Sequence, residues 1–372
     1  MKAHAWVGPS SIARVLACPP SARFSEQFPD TASDYAAEGT EAHELCEYLV
    51  RKALGEKVRK PKGKFHCEEM QECAEGYAAF VMEMYETAKQ TTPDAVLVLE
   101  QRVDVSEYIP ECFGTADCIL IADGTMTICD YKHGMGVRVD AEDNPQLKTY
   151  ALGALEMFGC LYDIDMLRLV IYQPRIENIS DWTISKAELL QWAEETLKPT
   201  AQLAYKGEGE FCAGSHCRFC KAKAVCRKRA EQNLMLAQYD FAPPMELENT
   251  EIPIILSKAS ELVAWVNDIK EYALSQALSG VRYDGYKLVE GRSNRKYTDK
   301  DAVAKAVTEA GFNPYSEPEI LGITAMEKLL GKKKFSEVLG QYIEKPHGSP
   351  TLVPETDKRP EYTTVNDDFE GE

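Results

Sequence analysis

The sequence predicts an α/β protein whose mixed central sheet is flanked by helices. Three observations carry that expectation. Helical periodicity over residues 9–90 gives way to β-rich runs; three such runs follow one another with only turn residues between them; and a helix then separates them from further strands. A three-strand meander followed by a helix and another strand builds one core with both parallel and antiparallel pairing. At 372 residues the chain can hold two domains and at least one sizeable core.

Along the chain, Pro9-Ser10-Ser11 reads as a helix start, and GTEAHELCEYLVRKAL as a second helix. EEMQECAEGYAAFVMEMYETAKQ keeps apolar positions near helical spacing. DAVLVLEQRVDV, FGTADCILIA and TMTICDYKHG are the β-rich runs. A helix is expected over residues 145–158, strands at MLRLVIYQP and ISDWTIS, and a helix over 186–205. ILSKASELVAWVNDIKEYALSQALSG is a long amphipathic helix stopped by Gly280. The expected organisation is a core over residues 1–235, a linker and long helix over 236–280, a small α+β region over 281–345, and an extended acidic tail over 346–372. The small region holds GYKLVEGRSNRKYTD, KDAVAKAVTEAG and ITAMEKLLGKKKFSEVLGQYI.

Composition narrows the function classes. The chain has no run of about 18 apolar residues of the kind that spans a membrane. MKAHAWVGPSSIARVLACPP lacks the apolar block of a signal peptide, so a cytoplasmic protein is expected. There its 12 cysteines should be reduced, and Cys46, Cys73, Cys118, Cys129 and Cys160 read as small core residues. A net charge of −18 argues against a uniformly basic, nucleic-acid-coating surface but leaves room for a local groove. The window Cys217–Arg229, CRFCKAKAVCRKR, inverts the sign with six basic residues and no acid.

The stretch DCILIADGTMTICDYKHG reads as a hairpin turning at Asp123-Gly124, the residue pair that type I′ turns prefer. With those two as the loop, Asp117 falls opposite Asp130, and Lys132 shares a face with Asp130 because strand side chains alternate. One face is expected to carry Thr115, Asp117, Ile119 and Ile121 beside Met126, Ile128, Asp130 and Lys132. Opposed carboxylates have Cβ atoms about 4.5–5.5 Å apart and repel, so two acids at the end of an apolar stripe call for a cation. Oxygen ligands favour a hard ion, Mg²⁺ or Mn²⁺. A lone D-x-K is ordinarily a solvated strand end, but other candidates accompany this one. His43 and Glu47 lie four apart on one helical face, Glu100 ends AVLVLE, and Gln146 and Tyr150 lie four apart after Pro145.

Taken together, G-x-x-x-H, GTAD, D-Y-K and Q-x-x-x-Y resemble the RecB-like branch of the PD-(D/E)xK nuclease superfamily, over roughly residues 9–230. The resemblance implies a restriction-endonuclease-like core. It also implies a metal held by His43, Asp117, Asp130 and the backbone carbonyl of Tyr131, with Lys132 as catalytic lysine. Glu100 would match the acid that many relatives carry before the Asp strand, and Gln146 and Tyr150 the motif that orients DNA or the lysine. The second acid here is Asp130 where other branches carry Glu.

FCAGSHCRFCKAKAVC holds Cys212, Cys217, Cys220 and Cys226, and its local spacing by itself supports a zinc site. The resemblance implies a different solution, a [4Fe–4S] cluster held by Cys18 with Cys217, Cys220 and Cys226. Such a cluster would close a loop of some two hundred residues, worth about 4–5 kcal/mol by analogy with a disulfide. Arg218, Lys221, Lys223, Arg227, Lys228 and Arg229 would then lie where they could track DNA phosphates, or form a solvated face.

As a whole the chain looks like a family of RecB-like proteins from phages and prophages. That likeness implies an exonuclease resecting DNA ends for recombination or replication in a bacterial host, beside a single-strand-binding or recombination protein. Two other readings stay open. One is a catalytically inactive DNA-binding or recombination scaffold. The other is a zinc-ribbon interaction protein, which leaves the hairpin acids unexplained.

Overall fold

A computed structural model of the chain describes residues 5–29, 34–235, 250, 252–286, 331 and 334. The expected linker residues 236–249, and nearly all of the expected C-terminal region and acidic tail, lie outside the described residues. The chain divides into two compact units, Met1–Leu288 and Val289–Glu372. The long helix therefore belongs to the first unit, with the core.

Five strands form one sheet in the order β1 (Val96–Asp104), β2 (Phe113–Ala122), β3 (Thr125–Tyr131), β4 (Met166–Gln173), β5 (Asn178–Ser185). The first three pair antiparallel, β3 and β4 pair parallel, and β4 and β5 pair antiparallel. The mixed sheet expected from the element order is what forms. One face carries α1 (Ile12–Ala17), α5 (Pro145–Phe158), α6 (Lys186–Trp192) and α7 (Lys198–Lys206), whose apolar residues share a core with Ile119, Ile121, Met126, Ile128, Leu167 and Leu169. The other face carries α3 (Asp34–Ala53) and α4 (Glu68–Thr91), packed over Leu99, Cys118, Cys129, Tyr131 and Val170. Full burial of each such isoleucine or leucine contributes about 1.5–3 kcal/mol. A short α2 (Ser21–Ser25) precedes α3.

Local chemistry explains the elements that matter for the site. In α5, the Asn144 side chain accepts the backbone N–H groups of Gln146 and Leu147, and Pro145 fills the first helical position, where its missing donor costs nothing. In α6, Ser185 and Glu188 form a capping box. A π-helical turn, Ala193–Leu197, joins α6 to α7 just before Pro199, which cannot donate to the preceding helical turn. The expected single helix over 186–205 is thus continuous but locally widened. Of the scattered cysteines, Cys46, Cys118 and Cys129 are buried and Cys73 partly so, whereas Cys160 is exposed just past the end of α5, contrary to expectation.

The hairpin follows its turn. Asp123 and Gly124 both have positive φ, 48° and 69°, and the ladder runs from Ala122↔Thr125 to Cys118↔Cys129. That register puts Asp117 level with Asp130, one step past the last pair. Strict alternation fails there, however. Ala116 joins Ile119 and Ile121 in the α5-side core, while Thr115 is exposed. On β1, Leu99 lies in the α3-side core and Val103 in the other. Both strands therefore change phase between Leu99↔Cys118 and Gln101↔Ala116, around Glu100, whose φ is +50°. The expectation that Thr115 and Asp117 share one stripe with Ile119 and Ile121 is corrected by this break.

The same α5 face depends on close approach to β1. A Cβ on Gly153 would stand 2.9 Å from Val103 Cβ and 3.0 Å from the Asp104 carbonyl oxygen, which is backbone and cannot swing away. Gly153→Ala is expected to cost about 1–3 kcal/mol, as overpacked cores do. Urea unfolding monitored by circular dichroism checks this; an unchanged midpoint contradicts the packing described.

Candidate metal centre and cysteine centre

The phase break is where the polar groups collect. Glu100 from β1, Asp117 from β2 and His43 from α3 place one ligand atom each within 4.8 Å of one another. His43 Nδ1 is 3.2 Å from Asp117 Oδ1, and the other oxygen of Asp117 accepts the Tyr131 backbone N–H at 2.7 Å. Asp117 thus takes up a strand donor at the point where the ladder ends, and is fixed by it.

Asp130, 3% exposed, points to the α5 side. Its Oδ1 accepts from Gln146 Nε2 at 3.1 Å, and Gln146 Oε1 accepts from Lys132 Nζ at 3.1 Å. Lys132 Nζ also lies 2.9 Å from Asp130 Oδ2, an ion pair whose oxygen is sealed from solvent. Asp130, Lys132 and Gln146 form a small ring whose geometry is set by the Asn144 cap of α5. Tyr150, one turn further along α5, is buried. Gly114, of the GTAD segment, lets its ring approach: a Cβ there would be 3.0 Å from Tyr150 Cε1.

The charges in this region are not balanced. Burial, then the charge on Asp117, pushes the Glu100 carboxyl up to about 7. Burial also raises Asp130, against the pull of Lys132. Burial works against a charged His43, but Asp117, with Asp130 and Glu100 beyond it, raises its pKa to about 9. For Lys132, burial is likewise outweighed by Asp130, and its pKa rises. Three acids lie close to two cations, His43 and Lys132. A nitrogen and several carboxylate oxygens around such a deficit suit a hard divalent ion.

The side chains expected at this site fall into two groups. The tightest donor set is His43, Glu100 and Asp117, and Asp130 is drawn towards Lys132 and Gln146. Glu47, on the His43 face of α3, pairs with Arg51 at 2.8 Å. His133 was missed by the sequence reading. Its Nδ1 is 2.9 Å from the Tyr131 hydroxyl and its Nε2 is 3.4 Å from Glu38, which Arg175 also holds at 3.2 Å. The only sequence hint was its position directly after D-Y-K.

A second group of side chains gathers where Cys18 meets residues 212–229. Cys18, Cys217, Cys220 and Cys226 line one cavity with Cys212, His216, Lys223 and Arg229. Cys18 Sγ accepts the Cys212 N–H at 3.4 Å, Cys217 Sγ accepts the Gly214 N–H at 3.4 Å, and Ser25 Oγ stands 3.6 Å from Cys220 Sγ. Polar donors aimed at sulfur favour thiolate. Burial nevertheless raises the free Cys18 and Cys217 thiols, so a metal would be needed to hold them deprotonated.

Two of the expected phosphate-tracking cations are committed elsewhere. Arg229, on α8 (Arg227–Leu234), is 1% exposed; it donates to Glu261 at 2.8 Å and Asp268 at 2.5 Å, both on α9 (Ile252–Leu278). Lys223 pairs with Asp268 at 2.7 Å. Arg229 is therefore a buried tie between the cysteine centre and α9, not a DNA-facing residue. Arg218 lies over the Phe219 ring. No helix among the described residues is long and apolar enough to cross a membrane.

A mixed sheet flanked by helices, with an acidic and histidine-bearing donor set at a break between two strands, defines an α/β protein with a candidate metal centre. The chain belongs to the family described as protein of unknown function (DUF2800), whose model matches residues 4–360. Among solved structures it is similar to SSO0001, at 12% identity, covering 61% of this chain and 88% of that one, with a TM-score of 0.28. It is also similar to a protein from Eubacterium rectale described as a "putative exonuclease", at 13% identity, covering 59% and 89%, with a TM-score of 0.34. TM-scores this low carry no functional weight.

Arg229→Ala would leave Glu261 without its cation and Asp268 with Lys223 alone. The expected loss is about 3 kcal/mol, at the low end for a buried pair because Glu261 keeps contact with solvent. Thermal unfolding of the full chain checks this; an unchanged transition would show that the tie is dispensable.

Proposed function

We propose that this chain is a metal-dependent DNA nuclease whose centre is built from His43, Glu100, Asp117, Asp130, Lys132 and Gln146. The observation that carries the reading is the convergence of three acids and a histidine beside a partly buried lysine that pairs with Asp130 and bonds Gln146, in the first turn of α5. His43, Glu100 and Asp117, with Asp130 and the Tyr131 carbonyl at the rim, would hold Mg²⁺ or Mn²⁺. Such an ion, when bound, supplies a Lewis acid at a phosphoryl oxygen and lowers the pKa of a water.

The chain's own residues do the rest. Asp130 and Gln146 fix the Lys132 ammonium, which neutralises charge developing on the phosphate or orients the attacking water. The Asn144 cap holds Gln146 at the start of α5, so the lysine does not have to be ordered during reaction. The finer reading is an exonuclease acting on DNA ends in phage recombination or replication, inside a bacterial cell and beside a single-strand-binding or recombination protein. It rests on the motif resemblance.

Hydrolysis of end-labelled duplex and single-stranded DNA with Mn²⁺ tests the reading. Asp130→Ala and Lys132→Ala are each expected to lower the rate by about 10²–10⁴-fold. Glu100→Gln is expected to weaken Mn²⁺ binding on the order of tenfold or more, measured calorimetrically. Activity that survives both the Asp130 and Lys132 substitutions would place the chemistry elsewhere; no activity under any condition would favour a DNA-binding scaffold.

The cysteine centre, in the same reading, holds a [4Fe–4S] cluster on Cys18, Cys217, Cys220 and Cys226, with Cys212 donating its backbone N–H to Cys18. Zinc, with Cys212 in place of Cys18, is the alternative. Four thiolates carry excess negative charge, and Arg229 in the cavity wall offsets part of it. Protein purified without oxygen should be brown and contain iron, and Cys217→Ala should bleach it. Colourless protein with stoichiometric zinc would sink the iron assignment.

A further inference from the structure

Residues 57–64, KVRKPKGK, hold five cations and no acid in a chain of net charge −18. They form most of the connection between α3 and α4, and Lys57, Arg59, Lys60, Lys62 and Lys64 are all exposed. Both ends of this loop are pinned to α3. At the start, Arg51 pairs with Glu47 at 2.8 Å and with Glu56 at 3.1 Å, and reaches the Leu99 carbonyl at 3.5 Å, next to Glu100. At the end, Glu41 accepts the backbone N–H groups of Lys64 at 2.9 Å and Phe65 at 2.8 Å, while the Phe65 ring packs into the α3–α4 core. From Arg51 back to Glu41 is ten residues of helix, about 15 Å. The cations therefore run back along the helix that carries His43.

Three of the five have no acidic or hydrogen-bonding partner among the described residues. Lys64 pairs with Asp34 at 3.4 Å, and Lys60 bonds the neutral Gln71 at 2.8 Å. Lys57, Arg59 and Lys62 have no ion pair among the described residues. The chain has 60 acids against 42 Lys and Arg, so carboxylates are not scarce. Lys223 and Arg229, in the other basic window, do have acidic partners. Like charges held side by side repel, and a polyanion relieves that repulsion. About 15 Å matches roughly four phosphates of one strand of a duplex at about 3.4 Å each.

We infer that the loop 57–64 is a contact surface for the phosphate backbone of DNA, holding a strand alongside α3 and next to the metal centre. The choice of DNA over another polyanion rests on the proposed nuclease activity. Binding itself needs neither metal nor hydrolysis, so the two can fail separately.

The test uses the full chain in EDTA, with fluorescent duplex and single-stranded oligonucleotides titrated by anisotropy over a salt series. The variant K57Q/R59Q/K60Q/K62Q is compared with the charge-keeping K57R/R59K/K60R/K62R. Every duplex phosphate that the protein no longer neutralises flattens the slope of log K against log salt by about 0.9, so the glutamine variant is expected to lose roughly two to four units. The charge-keeping variant should match the parent, and calorimetric Mn²⁺ binding should be the same in all three. An unchanged slope in the glutamine variant overturns the inference. So does an equal loss in both variants, or binding to anionic vesicles in co-sedimentation without binding to DNA. If the parent binds DNA through this loop yet releases no nucleotides with Mn²⁺, the nuclease reading falls and the surface stands.

Discussion

Everything around the site follows from one electrostatic constraint: Glu100, Asp117 and Asp130 are gathered in a partly buried place where His43 and Lys132 offset part of their charge. Removing carboxylates from water costs several kcal/mol each unless charge and hydrogen bonds compensate. The protein supplies some compensation itself, through the Tyr131 N–H on Asp117 and the Gln146 amide on Asp130. What remains shows in the directions of the pKa shifts, with Glu100 and Asp130 pushed up by burial and His43 raised by Asp117 against it. A folded chain keeps such an arrangement at a cost to stability, and a divalent cation is the simple means of relieving it.

The fold delivers that arrangement by a fault in an otherwise regular sheet. In unbroken strands Asp117 would face α5, together with Ile119. The left-handed conformation at Glu100 shifts the phase of both β1 and β2, so Asp117 and Glu100 come together near His43 while Asp130 stays on the α5 side. The acids thus flank the end of the β2–β3 ladder instead of stacking on one face, and α3 and α5 each contribute a polar side chain from opposite sides of the sheet. A non-glycine residue with positive φ is uncommon, and such strain concentrates at functional sites. The cysteine centre is a separate support: it brings residue 18 beside residues 217–226, and Arg229 links it to α9.

Much of this was legible in the sequence because it depends on short-range rules. The Asp123-Gly124 turn sets the hairpin register, and the Asn144-Pro145 start sets where α5 begins. What was illegible depends on partners far away in the chain. Nothing local in VLEQR marks Glu100 as left-handed; the donor set exists only because three elements meet there. Arg229 reads as one more cation in RKR, and its burial follows from Glu261 and Asp268, seven apart on a face of a helix that reads as a connector. Cys160 looks like a core residue by type, but it falls just after α5, where the chain turns outward. The cations of KVRKPKGK were visible as a charge run, yet only the folded chain shows them pinned along the helix of His43.

The account stands or falls on a cation at the phase break. Crystals grown with Mn²⁺, with diffraction data collected near the manganese absorption edge, test this most directly. The account predicts an anomalous peak between His43, Glu100 and Asp117, lost in Asp117→Ala crystals. Well-ordered side chains with no peak there, or a peak that Asp117→Ala leaves in place, would contradict it.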